Sequence, residues 1–281
     1  MNKADLQKEH AAYHMAGGAI YQNGKPLFHY VDRSQNEKKP VNSVTKSIVS
    51  ILTAAALEKE DVSAERPISD FLSVEGPAGS LTVDTLWKMR SGFTDDVWKK
   101  RQEDSWLKPF MKESPPGGEF TYSNTDSFLL AAVLHEVTGG LADFADEILF
   151  RPAEVSDWTF DTAPEGIPAG AYGIRLLPGD LLKTAEFIRA TAAGETSLPA
   201  SWVTEGWKAE SKTGMRGQQY GRHWWIEPAS GIPYAAGRFG KIIAFIPEHN
   251  VSAAFVGDLQ KEELLPFRWF MQFAKEQDWL R

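Results

Sequence analysis

Between Ser43 and Glu60 the chain runs through Ile48, Val49, Ile51, Leu52 and Ala54 to Ala56, apolar residues that fall on nearly every face of a helix. A helix of that kind is a buried one, so the fold has to enclose roughly five turns of it on all sides. A chain of 281 residues can do so as one large domain or as two lobes. One residue in the first turn breaks the apolar pattern. Lys46 stands three positions after Ser43, and a charged lysine on a buried helix needs a reason.

The segments on either side indicate how the helix is enclosed. Ala19 to Tyr21 and Leu27 to Val31 read as strands joined at Asn23-Gly24, a hairpin pair because both residues tolerate positive φ. A polar loop, Asp32 to Lys39, ends at Pro40. From about Asp61 to Pro199 the text is mainly helical, with helices expected after Leu81, over Ser123 to Val137, and over Leu181 to Ala192 behind Pro178-Gly179-Asp180. After about Glu205 the period changes: Tyr220 to Glu227, Ile232 to Gly237, Lys241 to Ile246 and Val251 to Gly257 read as strands, and Lys261 to Trp279 as an amphipathic helix. Strands at both ends with helices between them imply one α+β unit. Its sheet lobe takes about 1–60 and 205–281, its helical lobe about 61–204.

Composition removes several classes of function. The chain has no Cys, which excludes disulfide scaffolds, thiolate metal sites and a Cys nucleophile. Its net charge is −8 with no dense basic run, unlike a protein that neutralises a phosphate backbone. The first 20 residues carry Lys3, Asp5, Lys8 and Glu9 and lack the apolar core of a secretory signal, and no run approaches the ~18 apolar residues of a membrane span. The expectation is a cytoplasmic protein with no nucleic-acid or membrane partner. The six His show no metal-binding spacing, and no cofactor is expected.

Two clusters could carry chemistry. Spacing i to i+3 places the Ser43 hydroxyl and the Lys46 amine on one face of the first helical turn. The helix N-terminus offers N–H groups and a positive field that would stabilise an oxyanion and, together with burial, push the lysine pKa down. An unperturbed lysine near ~10.4 is neutral only about once in 2,500 at pH 7. Ser105 to Lys108 has the same spacing but precedes Pro109 in a loop-like stretch, where an N-cap and a solvated lysine explain it. The second cluster is Tyr122-Ser123-Asn124, after the bend Pro116-Gly117-Gly118 and a short strand expected at Phe120 to Tyr122. A Tyr beside a cation can act as a base, and Asn124 could hold a lysine or a substrate carbonyl. Packing and capping roles account for the same residues equally simply.

Taken in order, Ser43-x-x-Lys46, the Pro-Gly-x-x-Phe-x-Tyr-Ser-Asn run to Asn124, and the late Tyr220-Gly221 with Trp224-Trp225 resemble the serine β-lactamase and penicillin-binding-protein superfamily. The similarity is greatest to its class C-like branch, which includes carboxylesterases and 6-aminohexanoate-dimer hydrolases. The stretches Leu81 to Phe93 (LTVDTLWKMRSGF) and Ala171 to Asp180 (AYGIRLLPGD) also resemble segments of that branch. The resemblance implies an antiparallel sheet built from both termini, flanked by helices and interrupted by a helical lobe. It implies an acyl-enzyme route in which Ser43 attacks a carbonyl and Lys46 and Tyr122, titrating as a coupled pair, share the base role. The oxyanion hole would use the Ser43 N–H and one from the third motif.

That third motif departs from the family's Lys-Thr-Gly or His-x-Gly. A literal Lys212-Thr213-Gly214 precedes the Trp224-Trp225 strand, whereas the family's motif follows it, so the match is placed at Ala235-Ala236-Gly237, with the Arg238 N–H as second donor. Ala235 removes the cation that meets a substrate carboxylate, a charge-assisted bond worth about 1.5–3 kcal/mol. Arg238 and Lys241 are the nearby cations that could stand in. The reading is therefore a serine hydrolase for a small ester or amide, with Ser43, Lys46 and Tyr122 catalytic and Asn124, Gly237 and Arg238 lining the substrate. The rivals are a non-catalytic binding or sensor protein on the same fold and a penicillin-binding carboxypeptidase or β-lactamase.

Overall fold

A computed structural model describes residues 1–281 except 75, 95, 96, 101, 111–114, 116, 215, 216 and 281, together with the side chains of 98 and 100. Parts of the 98–116 loop, and Pro116 of the expected bend, lie outside the described residues.

The main sheet has eight strands. Its N-terminal hairpin is β1 (Gly17–Gln22) and β2 (Lys25–Val31), turned through Asn23 and Gly24 at φ 51° and 75° as the sequence requires. β3 (Lys39–Pro40), β4 (Trp158–Phe160) and β5 (Ile174–Leu176) form a separate three-stranded sheet in the order β3-β5-β4. The C-terminal half supplies β6 (Ser211–Lys212), β7 (Gln219–Tyr220), β8 (Trp225–Ile226), β9 (Pro233–Gly237), β10 (Lys241–Ile246) and β11 (Val251–Val256). The order β2-β1-β11-β10-β9-β8-β7-β6, every pair antiparallel, joins the two ends of the chain where β1 pairs with β11. The small sheet was not legible in sequence. The strand expected over Tyr220 to Glu227 is two short ones, broken where His223 takes φ 63°.

Six helices matter for the site: α1 (Lys3–Ala12), α2 (Val44–Lys59), α3 (Val83–Trp87), α4 (Asn124–Thr138), α5 (Pro178–Ala192) and α6 (Leu265–Glu276). Successive residues of a strand point to opposite faces, and β10 divides accordingly. Ile243 and Phe245 join the core under α2 and α5, while Ile242, Ala244 and Ile246 join a second core under α1 and α6. The sheet is thus covered on both faces, which is why its central strands read as unbroken apolar runs. α2 is buried along most of its length, from Val44 to Thr53 without interruption. α5 falls inside the span read as the helical lobe, yet it packs on β1 and β11 and so covers the sheet. α6 starts at Leu265 with Pro266 in its first turn, later than the expected Lys261. Among the described residues no single helix is long and apolar enough to cross a membrane.

Candidate active site

Ser43 is the N-cap of α2, but its side chain caps nothing. Its own backbone is helical, φ −69° and ψ −4°, so the hydroxyl is not turned back onto the helix and stays available. Asn42 before it is left-handed at φ 52°, which bends the chain into the helix. The first turn closes tightly, with the Lys46 N–H donating to the Ser43 carbonyl at 3.2 Å. That turn brings Lys46 Nζ to 3.2 Å from Ser43 Oγ, as the i to i+3 spacing leads one to expect.

Lys46 is 1% exposed, and its ammonium also donates to Asn124 Oδ1 at 2.7 Å and to the Ala171 carbonyl at 2.8 Å. Acceptors on three separate segments answer the question its burial raises, because a buried charge is tolerated when its donors are satisfied. The Tyr122 hydroxyl hydrogen-bonds to Ser43, and its ring centre lies 5.1 Å from Lys46 Nζ. Burial pushes the phenol up to about 12, with the Ser43 bond pulling the other way. Tyr122 is therefore a neutral phenol at rest.

Ser123 caps α4 by accepting the Asp126 N–H at 3.1 Å, which turns Asn124 into the first helical residue and directs its amide to Lys46. The segment before it is not the strand expected at Phe120 to Tyr122. It is irregular backbone fastened to the end of α3, with the Thr121 N–H donating to Met89 and the Gly117 and Gly118 N–H groups to Ser91 and Arg90. Gly117 and Gly118 take φ 67° and 106°, conformations that need glycine. Ser91 in turn donates to buried Asp126, whose carboxyl is pushed up to about 7 by burial against the pull of its Ser91 and Ser123 bonds.

β9 reaches the same point with Gly237, which lies against the Val41 carbonyl and Asn42. Asn42 Nδ2 donates to the Arg238 carbonyl at 2.9 Å, tying the strand end to the segment that leads into Ser43. Among the described residues neither the Ser43 nor the Arg238 backbone N–H meets an acceptor. Ala235, which the sequence reading aligns with the cation of the family's third motif, is buried in the core under α2. The Arg238 side chain is exposed and pairs with Glu263 at 3.4 Å. Lys241 is buried, paired in register with Gly237, and its ammonium is depressed by burial. The literal Lys212 to Gly214 falls on and after β6, the outer edge strand, three strands from β9.

Of the paired tryptophans, Trp224 is in the core and Trp225 stacks on Tyr122 with ring centres 5.3 Å apart, the opposite-face arrangement a strand imposes. The second Ser-x-x-Lys is the plain cap it resembled. Ser105 Oγ accepts the Leu107 and Lys108 N–H groups, and Lys108 pairs with Asp104 at the surface. Sequence reading missed two groups that meet the trio or its neighbours: the Ala171 carbonyl, which no side-chain motif can reveal, and His223, whose place depends on a bend between two strands.

The fold is shared with solved structures of low identity. A Bacillus anthracis protein assigned as a 6-aminohexanoate-dimer hydrolase matches at TM-score 0.76 and 15% identity, over 98% of this chain and 82% of its own. EstCE1, a hydrolase with promiscuous acyltransferase activity, matches at 0.75 and 15%, over 97% and 96%. A class C β-lactamase matches at 0.73 and 16%, over 97% and 94%. No curated protein matches the chain. The Beta-lactamase family model matches residues 3–268, nearly the whole length, and the chain is a member of that family, with a class C β-lactamase-like fold.

Proposed function

We propose that the protein is a serine hydrolase that cleaves a small ester through an acyl-enzyme on Ser43. The observation that carries this reading is the convergence of two proton-transfer groups on one hydroxyl: Lys46 Nζ at 3.2 Å from Ser43 Oγ, and the Tyr122 hydroxyl bonded to the same atom. In the reactive form the Lys46–Tyr122 pair has released one proton to solvent, and it takes up the Ser43 proton as Oγ bonds to the substrate carbonyl carbon. The oxyanion is received by the Ser43 and Arg238 N–H groups at the end of β9 and the start of α2. Tyr122 returns the proton to the departing alcohol, and water then cleaves the acyl-enzyme by the reverse sequence.

An ester is favoured because Ala235 leaves the third motif with backbone donors alone, and an activated ester demands least of it. Small amides of the nylon-oligomer type are the second reading, supported by the fold shared with the Bacillus anthracis protein. The test is intact mass after exposure to a fluorophosphonate, followed by turnover of p-nitrophenyl acetate and of a matching anilide. One adduct mapped to Ser43, abolished in Ser43→Ala together with turnover, supports the assignment. An adduct that persists in Ser43→Ala, or none at all, leaves a non-catalytic binding role ahead. Ester turnover without anilide turnover fixes the substrate class.

A further inference from the structure

We infer that His223 is a positioning residue, bracing α2 against α4 beside the bond between Lys46 and Asn124, one residue further along α2 and three further along α4; the inference rests on Ser43 and Lys46 being the reactive pair. His223 is 1% exposed and stands in the bend between β7 and β8. Its backbone carbonyl accepts from Ser47 Oγ at 2.7 Å, the residue after Lys46 on α2. Its ring Nδ1 is 2.7 Å from the Trp87 carbonyl at the end of α3, and its Nε2 is 2.8 Å from Ser127 Oγ on α4. One residue therefore touches all three helices around the site.

The hydrogen-bond chemistry fixes the tautomer. A carbonyl only accepts, so Nδ1 carries the proton, Nε2 presents its lone pair, and the Ser127 hydroxyl donates into it. The ring is neutral: burial holds it down to about 3, and the charge on Lys46 acts in the same direction. Ser127 lies three positions after Asn124, on the same side of α4. The distance between Ser47 and Ser127 is thus set through a rigid imidazole and its own backbone. The Lys46–Asn124 bond at 2.7 Å bridges the same two helices one residue earlier on α2 and three earlier on α4.

The bend itself is built to present this ring. His223 takes φ 63°, in the left-handed region that His enters more readily than most residues, and the bend turns its ring between α3 and α4. A parallel tie extends the brace along α2: Ser50 Oγ donates to the Arg222 carbonyl at 2.6 Å and accepts from Trp87 Nε1 at 2.8 Å. An apolar residue of equal volume would fill the same space but leave the Trp87 carbonyl and the Ser127 hydroxyl without these partners.

Four variants separate positioning from packing. Ser127→Ala cuts the Nε2 link together with the longer 3.3 Å contact of Ser127 Oγ with the Ser123 carbonyl, while His223 variants leave that contact in place. His223→Asn keeps a donor near the Nδ1 position but falls short of Ser127, while His223→Gln reaches toward Ser127. The fourth is the double variant Ser127→Ala/His223→Asn. Displacement of catalytic groups by about 1 Å costs on the order of 100-fold, so Ser127→Ala and His223→Asn should each lower kcat for p-nitrophenyl acetate by about tenfold or more with KM within about twofold. The double variant should be no worse than the poorer single, because both cut one link, and His223→Gln should recover most of the lost kcat. Unchanged kcat in Ser127→Ala, additive losses, or a Gln variant no better than Asn would each overturn the brace, and Ser127→Ala keeps the test alive if His223 variants misfold. If the wild type takes no phosphonate at Ser43, the hydrolase reading fails on its own. Amide exchange over residues 124–130 then decides: faster in Ser127→Ala supports the brace, and unchanged exchange rejects it.

Discussion

A Cβ placed on Gly237 would lie 2.2 Å from the carbonyl oxygen of Val41, so the end of β9 and the chain leading into Ser43 are in direct backbone contact. The same Cβ would meet Asn42 Cβ at 3.2 Å and Lys241 Cβ at 3.3 Å, leaving no direction in which a methyl group fits. Glycine is required here for closeness, since its φ is not in the left-handed region. The contact sets the distance between the two proposed oxyanion donors.

Gly237→Ala should therefore separate β9 from residues 41–43. Overpacking of this kind costs about 1–3 kcal/mol, and the displaced Arg238 N–H should lower kcat for an ester by about 100-fold. Thermal unfolding and p-nitrophenyl acetate kinetics read the two effects separately. A variant as active as the wild type would mean that this strand end does not serve the reaction.

Tyr122→Phe and Asn124→Ala should fail in different ways. The first removes only the hydroxyl on Ser43, so kcat should fall by about 10²- to 10⁴-fold while the melting temperature stays within a few degrees, the ring still stacking on Trp225. The second withdraws an acceptor from a buried ammonium, which should cost about 1–3 kcal/mol of stability in addition to activity. Equal melting temperatures for both variants would show that Lys46 does not depend on the Asn124 amide.

The sequence displayed those parts of the site that depend on local spacing. Ser43 and Lys46 meet because they are one helical turn apart, and Ser123 announces the helix that presents Asn124. The hairpin at Asn23-Gly24 and the opposed Trp224 and Trp225 follow from equally short-range rules. What the sequence hid depends on long-range approach: the Ala171 carbonyl on Lys46, the ring of His223 between α3 and α4, and the small sheet that pairs Lys39 with Leu176. α1 is also faint in the sequence, although Asn2 and Asp5 form a capping box and Leu6 and His10 its one buried stripe. Two apolar-facing positions in ten residues give too weak a period to be noticed.

The two Ser-x-x-Lys sequences should separate cleanly by mutation. Ser105 receives two N–H groups and donates to Glu165, so Ser105→Ala should cost about 0.5–2 kcal/mol and leave turnover near wild type. Ser43 makes no cap bond but accepts from Lys46 and bonds Tyr122, so Ser43→Ala should abolish turnover and also cost about 1–3 kcal/mol of stability. Calorimetry beside ester kinetics reads both. Loss of activity in Ser105→Ala, with stability intact, would move the search for a nucleophile to that loop.

Acid stability should be governed by three buried groups that the solvent does not reach. His10 is held down to about 4 by burial, its Nδ1 donating to the Leu6 carbonyl and its ring set among those of Phe28, Tyr30, Phe255 and Trp269. His223 is held down to about 3. Between pH 6.5 and 4 each of these is protonated in the unfolded chain and neutral in the native one. The unfolded state then binds more protons, so each His removes about 1.4 kcal/mol per pH unit as the medium is acidified. Asp126 acts oppositely: between its ordinary 3.8 and about 7 the native carboxyl keeps a proton that the unfolded chain has released, so acidification through that window favours the fold. These three together leave one proton of net uptake on unfolding. Urea unfolding at pH 4.5, 5.5 and 6.5 should show stability falling on acidification. His10→Leu should flatten the dependence by about 1.4 kcal/mol per unit and Asp126→Asn should steepen it by as much. A slope unchanged in His10→Leu would show that His10 titrates alike in both states, and that α1 opens to solvent well above pH 4.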